Sequence, residues 1–149
     1  MTKRRMQTRI REKVVLRVVG KAVIPYVLLF GLYVQVHGDF GPGGGFQAGV
    51  IVAAGFILYA LIFGLEPLQK IVSPTAVEIG ITLGVALYAG VGIASLLLGG
   101  NFLDYNVLLH DPVHGQHLGI FLVELGVGIT VWSVMLAIYY GFAGWKPSP

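Results

Sequence analysis

The sequence contains no cysteine and few charged residues. The lack of cysteine excludes disulfides, thiol catalysis and cysteine metal sites, and it removes any indication of the redox compartment. Charged residues make up only 11% of the 149 positions, whereas soluble domains carry about 25%. A chain with so few charges cannot cover a water-facing surface, so a soluble domain is excluded.

The chain is instead rich in apolar residues and glycine. Apolar residues account for 56% of the chain, and the mean hydropathy is +0.81. The 22 glycines are tolerated in transmembrane helices, where small residues let helices approach closely. Open sheet edges are not viable in lipid, and the apolar runs are too long for barrel strands. We therefore predict an all-α, polytopic membrane protein with one domain.

Four apolar segments are long enough to span a bilayer, which takes about 20 residues. We expect Glu66 and Pro67 to end the second span, "SPT" at 73–75 to start the third, and Pro25 to bend the first. Four spans place both chain ends on one side of the membrane. The expected spans are 22–36 (extended backward through 14–19), 46–65, 76–98 and 118–142.

Positive charge is concentrated at the N-terminus. Eight of the ten Lys and Arg residues lie in the first 21 positions. The positive-inside rule places this arm in the cytoplasm, where it can lie on anionic headgroups. A nucleic-acid partner is disfavoured because the arm runs directly into an apolar span. We therefore predict a multi-pass protein of the cell (inner or plasma) membrane, with a basic arm at 1–21, a four-helix transmembrane domain at 22–143 and a polar tail at 144–149.

Small residues recur every four positions along two of the spans, as expected for close helix packing. Packing within the chain would account for one such face on each helix. The third span carries two, which favours contacts with other chains as well. The series are Gly45, Gly49 and Ala53 on the second span, and Ala76, Gly80 and Gly84, then Ala86, Gly90 and Ala94, on the third.

Two glutamates are candidate ion-path residues. Glu124 lies roughly 10 Å inside the outer boundary of the fourth span, and a carboxylate at that depth must be protonated, paired or hydrated. It could relay protons or cations, or it could be a hydrogen-bonded group that fixes helix packing. Glu78, with Thr82 on the same helix face, could form the mouth of a polar path or cap the third span.

The histidine-rich segment "HDPVHGQH", residues 110–117, has spacings that suggest a metal site. Pro112 and Gly115 disfavour a regular helix there, so we predict no common ligand face and no metal. Proton buffering near a pore mouth fits the segment better. His117 precedes Glu124 by seven residues and would share its face only if the fourth helix already included His117.

The stretch "HGDFGPGGGFQAG", residues 37–49, predicts a compact turn at the start of the second span. Exposed backbone amides at a helix N-terminus can bind anions or polar groups. The glycines would also allow close approach by a neighbouring chain, with Phe46 as an anchor, although a simple tight turn is the alternative. "GGGFQA" fits a dinucleotide-binding pattern, but no strand precedes it, so that function is excluded.

Two segments resemble a known family. "HGDFGPGGGFQAGVIVAAGFIL" and "FLVELGVGITVWSVM" are similar to the MnhB-like (MrpB-like) family, one of the membrane components of the multisubunit Mrp-type sodium/proton antiporters. Glu124 occupies the position of an acid in the last helix of that family. Asp39 lies within the matching turn, which we expect to form a structural or hydrated element on the outer side. The positions that carry the turn's resemblance are His37, Pro42, Gly43, Gly44, Gly45, Phe46 and Gly49.

The resemblance implies a membrane subunit of a monovalent cation (Na⁺)/proton antiporter, contributing to the ion path or to assembly. Implied partners are the large complex-I-like A and D type subunits, the C type subunit, the small E, F and G type subunits, the bilayer, Na⁺ and H⁺. No enzymatic activity and no cofactor are implied. The expected ion-path residues are Glu124, Glu78 and His117. Alternatives are a subunit of a membrane-bound hydrogenase or other redox-linked pump, a purely structural subunit, and a stand-alone channel or metal carrier.

Overall fold

A computed structural model of the chain describes residues 3–38 and 43–144, with side chains from residue 14 onward. Helices dominate these residues, and no strand occurs among them, which confirms the all-α prediction. The elements are α1 (Lys3–Val36), α2 (Gly45–Phe63), α3 (Leu65–Ile71), α4 (Pro74–Leu97), a 3-10 turn (Tyr105–Val107) and α5 (Pro112–Gly144).

Four of these helices are long and apolar enough to cross a membrane, which confirms the predicted number of spans. The candidate spans are Val14–Val36 within α1, and the whole of α2, α4 and α5. The basic arm and the first span form one continuous helix, and Pro25 lies inside it. The domain boundary at 21–22 and the cytoplasmic position of the chain ends stay predictions.

The four spans are arranged in an open row rather than a closed bundle. Helix α2 packs between α1 and α5, and α5 packs between α2 and α4. Helices α1 and α4 are therefore the two ends of the row, and each has one packed side. Much of the apolar surface of α4 stays exposed, including Ile79, Leu83 and Val85.

Glycines set the close contact between α4 and α5. Gly80 and Gly84 are buried, and they face the hydroxyls of Ser133 and Thr130 on α5. A methyl group at Gly84 would lie 2.6 Å from the carbonyl oxygen of Gly126, which is too close for any side chain. One of the two small-residue faces of α4 therefore packs within the chain.

A small apolar cluster lies where α2, α4 and α5 meet the short helix α3. Leu68 of α3 and Leu136 of α5 are fully buried there, together with Val77 of α4. The hydroxyl of Tyr140 donates a hydrogen bond of 2.7 Å to the carbonyl of Val72. This cluster holds the α2–α4 connection against α5.

The predicted end of the second span at Glu66 and Pro67 is wrong. Helix α2 ends at Phe63, because Gly64 adopts a φ of 106° that a helix cannot continue through. Glu66 and Pro67 lie in the first turn of α3 instead. Proline is tolerated at that position because the first amides of a helix have no intrahelical acceptor.

The prediction that "HDPVHGQH" is not regular helix is also wrong. Helix α5 begins at Pro112, where proline suits the first helical position. Asp111 caps this helix by accepting a hydrogen bond of 3.0 Å from the amide of Val113. Gly115 is buried against the carbonyl of Tyr105, so its role is close packing and not chain reversal. His117 therefore lies on α5 together with Glu124.

Candidate functional site

Glu124 lies against the glycine turn, which is some eighty positions away in the sequence. A methyl group at Gly38 would overlap both oxygens of the Glu124 carboxylate, and one at Gly44 would lie 3.0 Å from its Oε1. Gly45 packs against the backbone carbonyl of Glu124. The end of α1 and the start of α2 thus close around α5 at its only acidic residue.

The glycines of this turn lie where neighbouring atoms leave little space for a side chain. We call Gly38, Gly43, Gly44 and Gly45 the glycine cradle. Gly44 has a φ of 128°, a conformation that residues with a side chain rarely adopt. At Gly43 a methyl group would lie 3.0 Å from the carbonyl oxygen of Val34. A simple tight turn would not need four such positions, so the structure favours a turn built for close approach, in this case by α5 of the same chain.

The Glu124 carboxylate lies at the N-terminus of α2. The residue before this helix, Gly44, has no side chain and makes no side-chain cap. The first amides of a helix lack intrahelical acceptors, and its N-terminus carries partial positive charge. The Glu124 carboxylate of α5 therefore occupies the place that a capping side chain of α2 would take.

The glycine cradle is recessed in the fold. Glu124 lies twelve positions after Pro112 on α5, which corresponds to about 18 Å along the helix. Glu124 itself is partly buried. Non-helical backbone at membrane depth requires protein or water around it, and here α5 supplies part of that cover.

The other predicted turn residues are less closely tied to Glu124. The ring of His37 stacks on Tyr33 with 4.0 Å between ring centres, and its Nδ1 lies 3.0 Å from the Tyr33 carbonyl. Phe46 is 61% exposed, so its role as an anchor for a partner stays a prediction. Asp39 and Pro42 lie outside the described residues.

Glu78 is not brought to Glu124. It is exposed on α4, in a shallow groove with Ile79, Thr82 and Leu83, on a helix that packs against α5 by its other side. Thr82 donates a hydrogen bond of 3.2 Å to the backbone carbonyl of Glu78. The cap of α4 is Ser73, which accepts from the amide of Ala76 at 3.1 Å. The side-chain cap of α4 is thus Ser73, and the interaction of Glu78 with the helix dipole stays a prediction.

His117 is exposed on α5, about 10 Å along the helix axis from Glu124. One turn earlier, the ring of His114 lies 2.6 Å from the Asp111 carboxylate. This hydrogen bond, with a second from the amide of Val113, lowers the pKa of Asp111 below its usual value. Within the described part of the chain, no three His, Asp or Glu residues are grouped as metal ligands.

Gln35 is a polar residue of this region that the sequence analysis missed. It lies one turn before Gly38 on α1, is only 9% exposed, and places its Oε1 against Gly128 of α5. Its Nε2 has no hydrogen-bond partner among the described residues. The available signal was its position as the one amide side chain in the first apolar span, Val14–Val36.

Below Glu124, a crevice of about 130 Å³ runs between α1, α2 and α5. Gln35 lies at its upper part, and Trp132 lies near its inner end. Glycines from all three helices form much of its wall, and apolar side chains form the rest. The lining residues are Gly31, Leu32, Gln35, Ala48, Gly49, Val52, Leu125, Gly128, Ile129 and Trp132.

Four apolar spans in a row, with an acid held against a recessed glycine turn, define a multi-pass membrane protein with a polar site inside its transmembrane region. The sequence profile described as "Domain related to MnhB subunit of Na+/H+ antiporter" matches residues 15–137. This match covers all four spans almost completely. The chain belongs to this family.

Relatives are similar over nearly their whole length. A candidate antiporter subunit, mnhB2, of Staphylococcus haemolyticus (strain JCSC1435) is 36% identical over 137 residues, covering 89% of this chain and 96% of the relative. The protein of the same name in Staphylococcus aureus (strain Newman) is 34% identical over 134 residues, covering 88% and 94%. The resemblance drawn from the turn and the last helix is confirmed.

Proposed function

We propose that the chain is a membrane subunit of a Na⁺/H⁺ antiporter complex, in which Glu124 exchanges a proton or holds a cation beside the glycine cradle. Membership of the MnhB-related family and the names of the relatives support the transporter class over an enzyme. The single observation that carries the residue assignment is the contact between the Glu124 carboxylate and the turn at the start of α2.

The chemistry of this site follows from the position of the carboxylate. The N-terminus of α2 favours the negative charge of Glu124, whereas partial burial in an apolar region disfavours it. These opposing effects allow the group to change between its ionised and protonated forms as a proton or cation arrives. A group fixed in one form could not couple the movement of two ions.

A structural role for Glu124 is the specific alternative, because a carboxylate at the start of α2 would also hold α2 against α5. The substitution Glu124→Gln separates the two roles. The glutamine amide keeps an oxygen that can accept hydrogen bonds from the α2 amides, but it cannot release a proton or carry charge. A structural role would therefore survive this change, whereas an ion-path role would not.

The partners are proposed from the surfaces that the row leaves open. Among the spans, α4 packs mainly on α5, and its other side exposes Glu78, Ala86 and Gly90. A membrane carboxylate on such a surface is more stable against a protein partner than against lipid. We assign this surface to other subunits of the complex, of the A, C, D, E, F and G types, in the cell membrane, with both chain ends in the cytoplasm.

The test measures cation-dependent dissipation of a pH gradient in everted vesicles from an antiporter-deficient strain that carries the whole gene cluster. Wild type, Glu124→Gln and the control Glu66→Gln are compared, with assembly checked by blotting. Glu66 is an exposed carboxylate of α3, away from the glycine cradle. We expect Glu124→Gln to assemble and to lose most of its activity, and Glu66→Gln to retain activity.

Three results would contradict the proposal. An assembled Glu124→Gln complex with wild-type activity would assign Glu124 to helix packing. A wild-type complex without cation-dependent activity would favour a redox-linked host complex, such as a membrane-bound hydrogenase. Activity from the purified chain alone would instead indicate a stand-alone channel or carrier.

A further inference from the structure

The side-chain amide of Gln35 is the starting observation, because a buried polar group without a partner is costly. Leaving a buried donor unsatisfied costs about 1–3 kcal/mol. Gln35 Nε2 is such a donor, and it lies at the crevice between α1, α2 and α5. The remaining surface of the crevice is mostly apolar or glycine, so a group that occupies it must accept a hydrogen bond from Gln35.

The crevice continues inward from the Glu124 site. Gln35 lies one turn before Gly38, and Gly128 lies one turn after Glu124, so the two contacts form successive layers between α1 and α5. The upper layer joins Gly38 to the Glu124 carboxylate, and the lower layer joins Gln35 to Gly128. A small molecule bound at the Gln35 amide would thus lie about one helical turn from the Glu124 carboxylate.

Two backbone carbonyl oxygens lie at glycine contacts beside the crevice. The carbonyl oxygen of Gly45 lies over Gly128, and that of Gly128 lies over Gly49. Carbonyl oxygens have two lone pairs, so one already engaged in a helix can still accept a second hydrogen bond. The site therefore offers one donor, Gln35 Nε2, and acceptors from α2 and α5.

Water is the ligand that fits this set of groups. A buried water makes about three hydrogen bonds as both donor and acceptor, which matches one amide donor surrounded by carbonyl oxygens. The crevice volume of 130 Å³ is well above the roughly 10–15 Å³ of accessible space that one water molecule needs. A bare cation fits less well, because Nε2 is a donor, and an apolar chain would leave that donor unsatisfied.

We propose that the crevice is a hydration site, in which Gln35 binds water that reaches the Glu124 carboxylate from the interior of the fold. This water would let the Glu124 carboxylate exchange a proton or cation on the side that the glycine cradle does not cover. Gln35 is then a positioning residue that acts through the bound water. The role in transport rests on the function proposed for Glu124, whereas the presence of water does not.

The first experiment uses the absence of cysteine from the chain, which makes single-cysteine variants unambiguous. A thiol reacts with maleimides as the thiolate, which forms readily in water and poorly in lipid. Val52→Cys places a thiol in the crevice. Val85→Cys places one on α4, where Val85 is 53% exposed beside an apolar groove that also includes Val127 and Val131 of α5. Both changes replace valine by a side chain of similar size.

The two positions differ in depth, and Val52 is the deeper one. Gly49 faces Gly128 and Val131, and Gly84 faces Gly126 and Thr130. Val52 lies one turn inward from Gly49, whereas Val85 lies one residue outward from Gly84, so Val52 is deeper than Val85 by more than one helical turn. Faster labelling at Val52→Cys could therefore not arise from proximity to the outer surface.

Membranes that contain the assembled complex, with a tag on this chain, are treated with N-ethylmaleimide. The thiols that stay unreacted are then detected by the gel shift that a polyethylene glycol maleimide produces. We expect Val52→Cys to react at least about tenfold faster than Val85→Cys. Adding Gln35→Met, which keeps the side-chain volume but removes the amide, should reduce the rate at Val52→Cys toward that of Val85→Cys. Equal rates at the two positions, or a rate unaffected by Gln35→Met, would overturn the proposal.

A second variant covers a failure of Val52→Cys to assemble. Gln35→Cys puts the thiol at the water-binding position itself, and slow labelling there would overturn the proposal in the same way. Fast labelling in a complex whose Glu124→Gln variant transports normally would retain the hydration site and reject the proposed role of Glu124. Slow labelling in a complex whose Glu124→Gln variant loses transport would reject the hydration site and retain the proposed role of Glu124.

The role in transport has its own readout. In assembled complexes, Gln35→Met should displace the pH dependence of antiport, because the water beside Glu124 is lost. The control Leu29→Met changes an exposed apolar residue of α1 outside the crevice and should leave the pH dependence unchanged. A merely structural effect of Gln35 would lower activity at all pH values without moving the profile. That result would overturn the positioning role.

Discussion

The carboxylate of Glu124, a residue of α5, lies beside the start of α2, a helix whose preceding residue, Gly44, provides no side-chain cap. At this scale the sequence is informative about which residues are unusual. The acid in an apolar span and the run of glycines were both recognised in it. Their contact was not, because some eighty residues separate them and no local pattern encodes which helices become neighbours.

Gly45→Ala should destabilise the protein. Its methyl group would overlap the backbone carbonyl of Glu124, which cannot move aside as a side-chain tip could. Overpacking of this kind costs about 1–3 kcal/mol. The measurement is the midpoint of thermal unfolding of the purified complex in detergent.

The matched control for Gly45→Ala is Gly141→Ala on α5, where a methyl group would meet nothing within 4 Å. Alanine is the better helix former, so this change should leave stability unchanged or raise it by up to about 1 kcal/mol. If both variants unfold at the wild-type midpoint, α2 and α5 are not in close contact at Gly45.

Asp111→Asn should alter how the start of α5 responds to acid. The hydrogen bond from His114 and the amide of Val113 lower the pKa of Asp111, so its ionised form is favoured by the fold. Its contribution is present above the ordinary carboxyl pKa of 3.8 and is lost as the pH falls through the lowered value. Asparagine can still cap the helix but does not titrate.

Hydrogen exchange of the amides at 113–115 checks this expectation. Once intrinsic exchange rates are corrected for, the wild type should lose protection there in acid below the ordinary carboxyl range. Asp111→Asn should show lower protection at neutral pH and little further loss in acid. The same acid response in both proteins would assign the effect to another group.

At the scale of helices, the pattern of small residues predicted that α4 has two packing faces, and the structure distinguishes them. Gly84 is buried against α5, whereas Ala86 is exposed on the other side. Gly84 and Ala86 both lie among apolar residues of α4, so their local sequence does not distinguish them. Periodicity alone can show that two faces exist, but only the position of α5 decides which one is used within the chain.

Gly84→Leu should separate α4 from α5, because the backbone carbonyl of Gly126 leaves no space for a side chain. Loss of this contact should leave little folded subunit in the membrane. The matched control Ala86→Leu adds a side chain on the exposed face and should leave the subunit folded. Protease resistance of the tagged chain in membranes gives the comparison, and equal resistance of the two variants would contradict the proposed helix contact.

At the scale of the whole molecule, the open row leaves two sides that a closed bundle would have buried. Helix boundaries are a second feature that the sequence pattern did not predict correctly. Pro67 and Pro112 were expected to break helices, yet each lies in a first helical turn. Proline marks a position near a helix end, but whether the helix ends or starts depends on the neighbouring backbone, here Gly64 and Asp111.

Gly90→Leu should test the assignment of the outer face of α4 to a partner. A side chain at Gly90 meets nothing within 4 Å in this chain, so the subunit should fold normally. Close packing of a partner helix at a small residue would be blocked. We expect normal amounts of the subunit but reduced co-purification of the other subunits. Full co-purification would place the partner on another surface, such as the free side of α1.

The sequence by itself determined the class of the protein, the number of spans and the family. These depend on composition, on the length of apolar runs and on a local motif, all of which lie in contiguous stretches of chain. Only the tertiary structure decided that Glu124 meets the glycine cradle and that Gln35 lies beneath it. Such contacts depend on which helices pack together, and in an apolar chain many pairings satisfy the same hydrophobic pattern.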